Sequence, residues 1–144
     1  MLRAWLAASM LLAASANAEH VRWLTLQGDT TDVATDVVQV APETITVFDN
    51  LRTMEIRVSR SAQRAAYDGG QYRSFMATAE VHCGDKSAVW KRHEYFAGPL
   101  WTGPSRKFNH LANKQPAMLF RSMNPNPVHR IVQAACSLES VKNG

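Results

Sequence analysis

The chain has 144 residues, a formal net charge of +4, 46% apolar residues and two cysteines. That length builds one hydrophobic core and not two, and past the N-terminal segment no stretch approaches about 20 uninterrupted apolar residues, which excludes a transmembrane anchor. The charge is uneven: Glu19–Leu51 carries one Arg against six acids, whereas Arg52–Gly144 carries 14 basic against six acidic residues.

In chain order, residues 1–18 read as a secretory signal, with Arg3 as the positive start, Ala4–Ala13 as the short apolar stretch and Ala16-Asn17-Ala18 as the cleavage site. The expected product is a single domain over residues 19–144, exported to an oxidising compartment, periplasmic or secreted, where Cys83 and Cys136 would pair. Val21–Leu26 and Val37–Val40 read as strands, the second ended by Ala41-Pro42. Thr44–Phe48 and Thr53–Ser59 alternate apolar and polar residues around the turn pair Asp49-Asn50. Asp68-Gly69-Gly70 then breaks the chain.

Tyr72–Cys83 and Lys86–Phe96 flank Gly84-Asp85, a pair suited to a two-residue type II′ hairpin loop. Such a loop sets Val81 opposite Ala88 and Ala79 opposite Trp90. Phe75, Ala77, Ala79, Val81, Cys83, Ala88 and Trp90 then share the core face, and Met76, Thr78, Glu80, His82, Ser87, Val89, Lys91 and His93 share the wet one. Residues 97–115, rich in Gly and Pro, read as irregular, with Trp101 and Phe108 folding back on the core. Ala117–Met123 reads as a last strand.

Asn126 then reads as the N-cap of a closing helix with Pro127 in its first turn. Val128, Ile131, Val132, Ala135, Cys136 and Leu138 recur at helical spacing. Cys136 thus lies on a buried helical stripe and Cys83 on the buried face of a sheet, so the two meet. The fold expected is α+β: one antiparallel sheet of five or six strands with a C-terminal α-helix packed on one face and joined to it by a Cys83–Cys136 disulfide.

No chemistry-bearing motif accompanies this fold. The five histidines lack metal-ligand spacing, and there is no nucleophile elbow, paired acid and base, phosphate loop or nucleic-acid motif. The reading is a non-enzyme without cofactor or metal, and without nucleic acid as partner. Arg57, Arg60, Arg64 and Arg73 bracket the Asp68 turn, and Lys91 and His93 follow on the wet face. These six are the candidate ligand-binding residues, with Tyr72, Tyr95, Phe96 and Trp101 close to them in sequence.

Trp23, Val38–Ile45, Glu80-Val81-His82-Cys83, Tyr95-Phe96 and the run Pro125–Cys136 together resemble the surface-adhesin protein E family, from Trp23 to Cys136, most of the expected exported chain. Ala41 departs from the Asp that many relatives place before the Pro, which leaves Pro42 to hold that turn. A lipid-acceptor cysteine at the start of the exported chain is also missing. The resemblance implies a domain that binds macromolecules, either a matrix protein or a polyanionic glycan, partly through basic segments. The alternative is a periplasmic envelope accessory protein with no host ligand. Exposed sheet edges would allow a homodimer.

Overall fold

The computed structural model describes residues 20–137; the expected signal segment lies outside them. Six strands run in chain order through one antiparallel sheet: β1 (Leu24–Gln27), β2 (Val37–Phe48), β3 (Leu51–Ala65), β4 (Gln71–His82), β5 (Ser87–Phe96) and β6 (Ser105–Asn109). Among the described residues one α-helix, α1 (Val128–Cys136), closes the fold against β2, β3, β4 and β5. The expected α+β architecture is therefore the observed one. Among the described residues no helix is long and apolar enough to cross a membrane.

Side-chain alternation builds the core. Val38 and Val40 of β2, Met54, Ile56 and Val58 of β3, Phe75, Ala77, Ala79 and Val81 of β4, and Ala88 and Trp90 of β5 all turn one way and are buried. Ile131, Val132 and Ala135 of α1 cover them. Pro127, and not the expected Asn126, is the N-cap, without a side-chain cap bond; Asn126, one residue earlier, accepts the Val128 amide on Oδ1 at 3.1 Å. Cys83 and Cys136 are bonded, joining the end of the helix to the end of β4.

Four further local expectations are corrected. The segments 37–40 and 44–48 are one strand, β2, interrupted in register between Ala41 and Thr46. Pro42 has no amide to give to the ladder, and the Thr44 hydroxyl bridges the gap, donating to Ala41 O at 2.7 Å and accepting Glu55 N at 3.0 Å. Second, Ser105–Asn109 is the edge strand β6 and not irregular chain. Phe108 does pack on the core, but Trp101 lies on the opposite face of the sheet. Third, Ala117–Met123 contributes one isolated bridge, Val89 with Ala117, and otherwise buries Met118, Phe120 and Met123 without a ladder.

The fourth correction concerns the β4–β5 hairpin. Its connection is Cys83–Lys86, four residues long, with Lys86 and not Gly84 in the left-handed region at φ 58°. A loop longer by two residues keeps the parity, so Val81 still faces Ala88 and Ala79 faces Trp90. Beyond that point parity fails. Thr78 pairs with Arg92, leaving Lys91 as an extra residue, and this bulge turns His93 and Tyr95 onto the core face.

Candidate functional site

The interruption of the β3–β4 ladder gathers a cluster of cations. Between Ser59 and Arg64 the register of β3 slips against β4, and three arginines gather there. Arg60, 5% exposed, donates Nε to Asp36 Oδ1 at 3.1 Å and Nη2 to the Arg121 carbonyl at 3.1 Å. Arg73 donates to the carbonyls of Arg60 and Val33, both at 2.7 Å. Gly28, at φ +85°, lets the β1–β2 connection deliver Asp36, because a Cβ there would lie 2.1 Å from Asp36 O. Arg64 and Arg121 bond to no carboxylate among the described residues, and Arg64 Nε is buried without a hydrogen-bond partner.

Beneath these arginines lies a cavity of about 300 Å³. Arg60, Arg64 and Arg121 supply its cations, Tyr67, Tyr72, Tyr95 and His93 its polar rings, and Phe75, Trp90, Leu119 and Phe120 its apolar walls. Among the described residues no Asp or Glu lines it. Burial raises the pKa of all three tyrosines, against the opposing pull of Arg121 on Tyr67 and of Arg60 and Arg64 on Tyr72, so the phenols remain neutral. Tyr95 Oη accepts the Tyr67 amide at 3.2 Å, which fixes the loop carrying Tyr67 over the cavity.

His93 is the main displacement from the sequence expectation. It is 3% exposed, stacked on Tyr95 at 5.0 Å with an interplanar angle of 4°, and flanked by Phe75 and Trp90, each at 5.0 Å. Its Nδ1 lies 3.0 Å from His110 Nε2. Burial, assisted by repulsion from His110, pushes His93 down to about 3, so the ring is neutral and the pair shares a single hydrogen bond. Among the described residues no cluster of three or more His, Cys, Asp or Glu could hold a metal ion.

The remaining candidates lie on the other face of the sheet. Arg57 is held between Trp23, at 4.4 Å, and Trp101, at 3.8 Å, and donates Nε to Gln39 Oε1 at 2.6 Å. Trp101 is positioned by a 3-10 turn, Pro99–Trp101, whose Leu100 and Trp101 amides donate to the buried hydroxyls of Ser59 and Ser74. Burial lowers Arg57 to about 10, which leaves it a cation at neutral pH. Lys91 pairs with Glu80 at 3.4 Å, and Arg92 with Glu55 at 3.2 Å. Lys91 and Arg92 are thus matched by carboxylates, whereas Arg57 is held by two indoles and an amide oxygen.

The Trp23–Arg57–Trp101 stack ties the start of the described chain to the sheet. Replacing Arg57 with Ala is expected to lower stability by about 1–2 kcal/mol, with Arg57→Lys recovering only part, because the ammonium cannot lie flat between two indoles. Urea unfolding with Trp fluorescence checks this. An unchanged midpoint would show the stack to be energetically idle.

Of the six sequence candidates, then, Arg60, Arg64 and Arg73 come together, His93 forms a cavity wall, and Arg57 and Lys91 stand apart. Arg121, Tyr67 and Leu119 escaped the sequence reading. Arg121 and Leu119 were hidden in an expected strand, and Tyr67 carried no pattern beyond its place before a turn.

The family model described as surface-adhesin protein E matches residues 23–137 of this chain. No curated protein matches it. Among solved structures it is similar to crystal form II of Haemophilus influenzae protein E, at 13% identity, covering 72% of this chain and 82% of that one with a TM-score of 0.48. It is also similar to protein E from non-typeable Haemophilus influenzae, at 12% identity, covering 72% and 71% with a TM-score of 0.45.

Proposed function

This chain belongs to the surface-adhesin protein E family, and on that premise we propose that it is an exported adhesin-like domain whose basic end engages a macromolecule, either a matrix protein or a polyanionic glycan. One observation supports this reading above others. Arg60, Arg64, Arg73 and Arg121 converge at one end of the sheet, and among the described residues the carboxylate bonded to this group is Asp36 alone. Lys91 with Glu80, Arg92 with Glu55 and Arg106 with Asp68 are each matched locally by a carboxylate, so those three cations add little net field. A concentrated positive end steers polyanions and raises their association rate, an effect that weakens as salt shortens the Debye length.

In this reading Arg64 and Arg73, together with Arg121, face the ligand. Arg60 sets their geometry from a buried position. Edge pairing through β6, which hydrogen-bonds to β5 on one side only, would make the domain a dimer presenting two such ends.

The test is direct. The oxidised chain is titrated against heparin and immobilised matrix proteins across a salt series from about 50 to 500 mM. Saturable binding that weakens steadily with salt is expected. Binding to none of these ligands at low salt would overturn the adhesin-like reading and leave an envelope accessory role.

A further inference from the structure

We propose that the cavity beneath the basic end is a binding site for a small organic anion that joins an anionic head, carboxylate or phosphate, to an aromatic body. The site uses two of the arginines invoked above, Arg64 and Arg121, but it does not depend on the macromolecular reading. A surface that merely attracts polyanions requires no cavity.

Three features point to this ligand class. The first is charge. Among the described residues Arg64 and Arg121 enter the cavity wall without carboxylate partners, and no Asp or Glu lines the space. Two guanidiniums that border one partly enclosed space without carboxylates can both donate to a bound anion, which completes their hydrogen bonding. The buried Nε of Arg64, which lacks an acceptor, belongs to the same account: leaving a buried donor unsatisfied costs free energy that a ligand oxygen relieves once the side chain turns toward it.

The second is the body of the cavity. Trp90, Phe75 and Phe120 form apolar walls, with Trp90 and Phe120 edge to face at 5.8 Å and Phe75 and Trp90 at 5.5 Å. Ring edges and faces presented in this way accept a flat aromatic group in offset or T-shaped contact. An inorganic ion would leave the ring atoms that border the cavity in contact with solvent only. At about 300 Å³ the space stands at the lower end of known small-molecule pockets, which suits a single-ring or two-ring ligand and not a polymer chain.

The third is the rim. Tyr67 is 50% exposed and Leu119 is 54% exposed, and both line the cavity. Large apolar side chains held open at the mouth of a cationic cavity give the ligand's body a contact on entry. The phenols of Tyr67 and Tyr72 remain neutral donors and add no competing negative charge.

The experiment titrates the full oxidised chain with phenylacetate, phenyl phosphate, acetate and inorganic phosphate, reading tryptophan fluorescence and the Trp90 indole N–H shift. Saturable binding of at least one phenyl compound is expected, at least tenfold tighter than the matching ion without a ring. Phenylacetate against phenyl phosphate distinguishes a carboxylate from a phosphate head. Arg64→Gln, at a position outside the packed core, should weaken that binding about tenfold, and Leu119→Glu, which sets a charge at the rim, should do so as well. Heparin is titrated in parallel. Equal binding of acetate and phenylacetate, no saturable shift with any of the four, or unchanged affinity in Arg64→Gln would each overturn the inference. Persistence of heparin binding in those cases leaves the macromolecular reading standing, and its loss alone leaves the cavity site standing.

Discussion

Removing the Cys83–Cys136 bond, by reduction or by the double replacement Cys83→Ala and Cys136→Ala, is expected to lower stability by about 4 kcal/mol, the largest single effect in this molecule. The bond closes a loop with a sequence separation of 53, and in the chain-entropy account the unfolded ensemble regains that loop's freedom when it opens. The folded side adds to this. Helix α1 has nine residues, too few to persist alone in water, and is held by Ile131, Val132 and Ala135 against the sheet. Once the tether at its C-terminal end is gone, that apolar stripe is the remaining attachment. Urea titration of oxidised and reduced protein, followed by far-UV circular dichroism, measures the difference. A shift corresponding to less than about 1 kcal/mol would show that the sheet and helix hold each other without the covalent link.

Acidification supplies the second large effect. His93 has a folded pKa near 3 against an ordinary value of 6.5, the depressed case. Its neutral form is the one the fold accepts, so this contribution is fully present above about pH 6.5 and is lost progressively as pH falls toward 3. Between pH 7 and pH 4 the expected loss is about 3 kcal/mol, with little discount for solvent because the ring is 3% exposed. His110, also lowered by burial, acts in the same direction from a more exposed position. The groups facing His93 are His110, Tyr95, Trp90, Phe75 and Tyr67, none of which supplies a negative charge in this range.

Asp68 titrates separately. The Arg106 side chain and the Gly70 amide hold its carboxyl at about 2, so its contribution survives until the pH has fallen below the ordinary carboxylate range. The variant His93→Phe keeps a ring on Tyr95 and removes the proton acceptor. Its stability should fall less steeply from pH 7 to pH 5 than that of the parent chain, keeping only what His110 contributes, and an identical slope in both would refute the assignment to His93.

How much of this was legible in the sequence depended on whether local pattern or ladder irregularity decided the outcome. Val81 opposite Ala88, Ala79 opposite Trp90, and the meeting of Cys83 with Cys136 follow from alternation and helical spacing alone, and they survived an error in loop length because two and four residues share a parity. His93 was misplaced because the extra residue Lys91 carries no local sign: Trp90-Lys91-Arg92-His93 alternates no less well with the bulge than without it. Ser105–Asn109 was missed since an edge strand with Arg106 and Phe108 on one face and Ser105, Lys107 and Asn109 on the other lacks an apolar run.

The site was legible in the same partial way. Arg60, Arg64 and Arg73 are near each other in sequence and remain so in space. Arg121 reaches them only through the carbonyl bond from Arg60 Nη2, a contact spanning 61 residues that no spacing rule foretells. Asp36 likewise arrives from the β1–β2 connection. Long-range contacts of this kind decide which cations are matched and which stay free, and the free ones carry the functional reading.

The most direct measurement compares heparin binding, at low salt, of the parent chain with two double variants that remove equal charge: Arg64→Gln with Arg121→Gln at the basic end, and Lys86→Gln with Lys107→Gln away from it. The account predicts that the first pair loses about tenfold in affinity, roughly 1.4 kcal/mol, while the second stays within about twofold of the parent. Equal losses in both would mean that net charge alone attracts the polyanion, and the basic end would lose its claim to be the binding surface.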